Sequence, residues 1–221
     1  KKSPSKQFID FGGWTLFGKT LDRIKNPIFD SPIISTNKTY DKLVRVILKK
    51  KKIKNFKIIL EPMKKNTAPA IISSTLISNI KMNQPILFLP SDHYLPEKNK
   101  FNKILKSNLS QLNNNNIFIF SVKPNNPSPD YGYLLSKKIN KKINKVVKFI
   151  EKPNERNAKK IINQKGCWNS GIILAKKISI INNAKKVQKK LFSHCHETIN
   201  KSETKNNSIM LNKKYFSKIK A

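Results

Sequence analysis

Lys57-Ile58-Ile59-Leu60, closed by Glu61-Pro62, has the length and composition of a short buried strand. A continuous apolar run rather than strict alternation indicates a strand covered on both faces, as in sheets whose crossovers are helices. A polar loop follows it. Beyond Thr67, which is placed to cap a helix, Ile71, Ile72, Leu76 and Ile80 recur at helical spacing. Strand, loop and helix in that order form the repeating unit of a doubly wound α/β sheet.

The same alternation extends in both directions. Residues 85–89, 117–122, 146–150 and 171–174 read as further strands. Phe101, Ile104, Leu105, Leu109 and Leu112 share one helical face, and Leu16, Phe17, Leu21 and Ile24 share another behind Thr15, a predicted N-cap. A third helix is expected over 158–162. Asn113 to Asn116 reads as a polar loop, and 124–129, with its prolines and asparagines, as a loop long enough to close over a ligand. At 221 residues, one domain over 1–221 is the expectation. In such sheets ligands lie beyond the carboxyl ends of the strands, so the residues there are candidates for a site.

The formal net charge of +34 suggests nucleic acid at first sight. Its distribution argues otherwise. Lysines are scattered from end to end, and the arginines, whose planar fork suits guanine readout, are only Arg23, Arg45 and Arg156. Lys, Asn and Ile are over-used together, as an A+T-rich coding sequence would impose, so the surplus reads as a solvated surface with no specific nucleic-acid partner. Two cysteines, Cys167 and Cys195, make no disulfide framework, and no apolar run is long enough for a membrane span. A soluble, cytoplasmic protein without a membrane partner is expected. His194-Cys195-His196 has zinc-ligand residue types, but neighbours on a helix point apart. Cys167, beside Trp168, reads as a small buried residue.

The segments that fall at strand ends are, in order, Ser5-Lys6-Gln7-Phe8, Glu61-Pro62-Met63-Lys64-Lys65-Asn66-Thr67-Ala68-Pro69-Ala70, Leu89-Pro90-Ser91-Asp92-His93, Tyr131-Gly132-Tyr133, Phe149-Ile150-Glu151-Lys152-Pro153 and Trp168-Asn169-Ser170-Gly171. This ordered series resembles the mannose-1-phosphate guanylyltransferases of the bacterial bifunctional type, within the sugar nucleotidyltransferase superfamily. The resemblance implies a Rossmann-like, doubly wound, mixed but mostly parallel sheet. It also implies a reaction in which GTP and mannose 1-phosphate give GDP-mannose and pyrophosphate with Mg²⁺. That chemistry brings two anions into line, which requires cations and a metal to offset their repulsion. By resemblance, Lys6 and Lys152 contact phosphates, and Asp92, a hard carboxylate, is the metal ligand. Glu61, Asn66 and Thr67 serve the nucleotide, while Gly132, Glu151 and Asn169 serve the hexose.

The sequence departs from the family pattern at several points. Ser5 stands where proline is usual, a change expected to loosen the backbone. Lys65 replaces an arginine, keeping the charge and losing the bidentate fork. The family's glycine-rich loop before the Lys6 segment and a later metal-binding aspartate are both missing, so a fragment truncated at both ends and inactive by itself is expected. A sister enzyme for another nucleotide or hexose, a non-catalytic paralogue and a nucleic-acid-binding protein are the rival readings. Homo-oligomerisation is left open.

Overall fold

The computed structural model describes residues 5–140 and 143–220. Two sheets organise them. In the first, β1 (Ile33–Asn37), β2 (Lys57–Glu61), β9 (Ser208–Met210) and β8 (Glu203–Lys205) lie in the order β1-β2-β9-β8. The first two contacts are parallel and the last is antiparallel. Strand β2 is buried on both faces, as its apolar run predicts. Ile58 and Leu60 join the core that Phe17 and Leu21 of α1 (Leu16–Arg23) form with Val44, Ile47 and Leu48 of α2 (Asp41–Lys50). Ile59 turns to the opposite core, built with Ile72 of α3 (Thr67–Ile77), Cys195 of α7 (Lys189–Asn200) and Phe216 of α8 (Lys213–Ser217). This period-2 division of one strand between two helical layers is the physical content of double winding.

The second sheet holds β3 (Pro85–Phe88), β7 (Cys167–Lys176), β5 (Tyr133–Lys138) and β6 (Asn144–Ile150) in the order β3-β7-β5-β6, with β4 (Ile117–Val122) also paired to β7. Helix α4 (Lys98–Leu109) places Leu105 against Leu174, with Leu112 just beyond its end in the same cluster. Helix α5 (Glu155–Asn163) packs Ala158 and Ile161 on Tyr133. Helix α6 (Lys177–Val187) follows β7 directly.

The α/β architecture with a mixed sheet agrees with the sequence. The proportion of parallel pairing does not: among the described residues, two strand pairings are parallel and five antiparallel. The cause is local. β5 and β6 form a hairpin, and the long β7 runs opposite to β3, β4 and β5. The run at 146–150 is accordingly an antiparallel edge strand, exposed from Asn144 to Phe149.

The helix starts follow capping chemistry only in part. Thr15 caps α1, its Oγ1 accepting from the Gly18 N–H at 3.0 Å. Thr67 is instead the first residue of α3; Asn66 holds the N-cap position, and its side chain makes no capping bond. Along α7, Cys195 is buried while His196 is exposed against Phe192. Among the described residues, no helix is long and apolar enough to cross a membrane.

Candidate active site

Three of the strand-end segments meet at one cavity of about 250 Å³. Ser5 and Gln7 contribute from the first, Glu61, Lys64 and Lys65 from the second, and Ser91 from the third, with Ser35 and Thr36 of β1 between them. The parallel register sets Asn37 opposite Glu61 and leaves Ser35 within reach of the Glu61 side chain, whose Oε1 accepts from the Ser35 hydroxyl at 2.6 Å. Burial pushes the Glu61 carboxyl above the usual carboxylate range, and the Ser35 bond opposes that shift. Lys65 donates to the carbonyl of Ile219 at 2.5 Å and more weakly to that of Ser217. Asn66 and Thr67 are exposed at the start of α3 and do not line this cavity.

Phe8 anchors the Lys6 segment. It is buried, with its ring 5.8 Å from Phe17 and 5.0 Å from Tyr40, while the Lys6 side chain is exposed. Ser5 keeps φ at −58°, the value a proline ring would impose, and its hydroxyl contacts that of Tyr40. Serine thus holds the backbone angle that proline would fix.

Asp92 follows β3 and has a side chain 40% exposed; its Oδ1 lies 3.8 Å from His93 Nε2. Burial lowers the His93 pKa; Asp92 opposes this, whereas Arg23 and Lys6 add to it, so the imidazole is neutral near pH 7. That Lys6 acts on His93 puts the lysine and the Asp92 turn in one electrostatic neighbourhood.

The remaining candidates form a second group. The Asn169 N–H donates to the Gly132 carbonyl at 2.7 Å, and Asn169 Oδ1 accepts from the Gly171 N–H at 2.9 Å. A Cβ on Gly132 would lie 2.9 Å from two ring atoms of Phe149 and 3.0 Å from Glu151 Oε2. Glycine leaves room there for the Phe149 ring, with the Glu151 carboxylate beside it. Glu151 and Lys152 are exposed, and Lys152 has φ +40°, a left-handed conformation that side chains other than glycine rarely hold. Tyr131 and Trp168, flanking these motifs, have ring centroids 4.7 Å apart. Cys167 is only partly buried, contrary to its sequence reading.

Gly171 joins the two groups. It has φ +68°, and a Cβ there would meet Pro90 Cγ at 3.2 Å. Gly171→Ala is expected to destabilise the fold by about 1–2 kcal/mol, from the left-handed backbone alone. Urea unfolding measures this, and an unchanged midpoint would show that the turn relaxes.

Sequence reasoning missed Ser35, Tyr131, Trp168 and Arg23. Tyr131 and Trp168 open two of the strand-end motifs, and their aromatic character was the available signal. Ser35 carried no signal, because its partner lies 26 positions away across a strand pair.

The fold and the convergent strand-end motifs define a nucleotidyl transferase: the family model of that description matches residues 2–215, and the chain belongs to this family. It is 28% identical over 217 residues to the alginate biosynthesis protein AlgA of Pseudomonas fluorescens, with 96% of this chain and 45% of that protein covered. It is 29% identical over 224 residues to mannose-1-phosphate guanylyltransferase 2 of Escherichia coli O157:H7, with 96% and 46% covered. The chain thus spans less than half the length of these curated relatives. Among solved structures, mannose-6-phosphate isomerase from Helicobacter pylori superposes with a TM-score of 0.86 at 24% identity, covering 97% of this chain and 85% of that one, a likeness of fold.

Proposed function

We propose that this chain is part of a mannose-1-phosphate guanylyltransferase, the complete protein joining GTP and mannose 1-phosphate to give GDP-mannose and pyrophosphate for polysaccharide assembly in the cytoplasm. The observation that carries the reading is the convergence of three distant segments on one cavity with Glu61 half-buried in its wall. Ionised, its carboxylate can accept the N1–H and 2-amino donors of guanine together; uracil and thymine offer a single such donor. The relatives named for guanylyl transfer support the same substrate.

In this reading Lys6 and Lys152 neutralise phosphate oxygens as the sugar phosphate approaches the α-phosphorus, and Glu151 and Asn169 orient the hexose through its hydroxyls. Asp92 suits Mg²⁺. Its carboxylate is partly exposed and would hold the ion through oxygen, with substrate phosphates and water as the further ligands Mg²⁺ ordinarily takes. A bound ion would supply charge neutralisation to those oxygens. The test is pyrophosphate release against a panel of nucleotides and sugar phosphates. GTP with mannose 1-phosphate is expected to be preferred, and a clear preference for UTP or dTTP with glucose 1-phosphate would overturn the assignment.

The lysine surface has no specific nucleic-acid partner in this reading. Duplex DNA is expected to bind only at low salt, weakening steeply as salt is added and showing no sequence preference. Sequence-selective binding in a fluorescence-anisotropy titration at physiological salt would contradict this.

A further inference from the structure

Arg23, the last residue of α1, is 2% exposed, a burial at which a guanidinium normally has a carboxylate partner. Among the described residues it forms no salt bridge. Its Nη2 donates to the His93 carbonyl at 3.1 Å, its Nε and Nη1 are buried without a hydrogen-bond partner, and its guanidinium lies 5.9 Å from the Phe101 ring centre. Burial pulls its pKa down. A residue serving stability alone would not be built this way, since an apolar side chain of similar shape fills such a space without desolvating a charge.

What arginine adds is its grip on His93. That grip has companions on the same element: Thr20 Oγ1 reaches the Pro90 carbonyl at 3.5 Å, and the Trp14 ring, just before α1, lies 5.7 Å from the Tyr94 ring. Residues 90, 93 and 94 are thus held from α1 and its entry, while Asp92 between them keeps a partly exposed side chain. The same helix follows the segment that carries Lys6. The geometry points to Arg23 as a positioning residue for Asp92: by holding the His93 carbonyl from α1 it fixes the turn that presents the carboxylate to cation and phosphate. This inference rests on the proposed role of Asp92 as a metal ligand.

Terbium(III) alone is a suitable probe, because it prefers oxygen ligands and its luminescence is sensitised by nearby Tyr94 and Trp14. Titrations of the unsubstituted chain, Asp92→Asn, Arg23→Met and Arg23→Lys are compared, with thermal unfolding of each. Asp92→Asn should abolish the sensitised site. Arg23→Met should weaken it about tenfold, as loss of an outer partner of a metal ligand does. The melting temperature should stay equal or rise, because an unpaired buried charge has gone. Arg23→Lys, which can still donate to the His93 carbonyl, should fall between the two, and it decides alone if the Met variant does not fold.

Unchanged or tighter terbium binding in Arg23→Met would overturn the positioning role; tighter binding is what removing a nearby positive charge would do by itself. A fall in affinity matched by a fall in melting temperature that lysine does not repair would also overturn it. Terbium binding indifferent to Asp92→Asn would overturn the metal-ligand reading as well, and that failure is visible in its own control.

Discussion

In the catalytically active protein, Asp92→Ala and Lys152→Ala should each lower kcat by about a hundredfold or more, the usual effect of removing one charged contact to a transferring phosphoryl group. Melting temperatures should change little. Both side chains are at least partly exposed, and exposed positions without buried networks contribute within about 0.5 kcal/mol. Among the described residues, Asp92 pairs with His93 alone and Lys152 forms no ion pair. The two losses should differ in kind: added Mg²⁺ should partly restore Asp92→Ala and leave Lys152→Ala unaffected.

Lys152 permits a further separation. Its φ of +40° is a conformation glycine holds without penalty, so Lys152→Gly should be at least as stable as the parent while losing the same turnover. Steady-state kinetics with both substrates saturating, alongside thermal melts, measures these differences. Near-normal kcat in Lys152→Gly would make Lys152 a strained surface residue with no part in the reaction.

The sequence was readable where one segment alone carried the physics. Ile58 and Ile59 are apolar at adjacent positions because two helical layers cover β2, and that could be inferred without knowing either layer. Thr15 caps α1 through its own hydroxyl, a contact three residues long. Features set by partners distant in the chain were not readable. The antiparallel share of the second sheet depends on β7 pairing with three other strands, and nothing in the run at 171–174 declares direction. The motif at 131–133 read as following the end of a strand, yet Tyr133 opens β5 and is fully buried. Lys65 was judged by the fork it lacks; its role here is set by the carbonyls of Ser217 and Ile219, more than 150 residues away. Arg23 passed as one of three arginines because burial without a counter-charge is invisible in composition.

Glu61→Gln should weaken GTP binding by about 1.5–3 kcal/mol, the worth of a charge-assisted hydrogen bond, or about tenfold to a hundredfold in affinity. It should also collapse the preference for GTP over ITP, which lacks the 2-amino group. Glutamine keeps one acceptor oxygen and replaces the other with a donor, so one of guanine's two N–H groups faces another N–H. The pH dependence follows from the direction of the Glu61 shift. Burial raises its pKa, so affinity should be greatest above that pKa, as long as guanine keeps its N1 proton, and decline as pH falls through a value above that of an ordinary glutamate. The Ser35 hydroxyl opposes the shift, so Ser35→Ala should raise the pKa further and move the midpoint of GTP binding to higher pH. Calorimetric titration of GTP and ITP across pH, with the parent, Glu61→Gln and Ser35→Ala, measures all three effects. A GTP-to-ITP ratio unchanged by Glu61→Gln would remove this carboxylate from base recognition. A midpoint that Ser35→Ala leaves in place would show that another group titrates in the observed range.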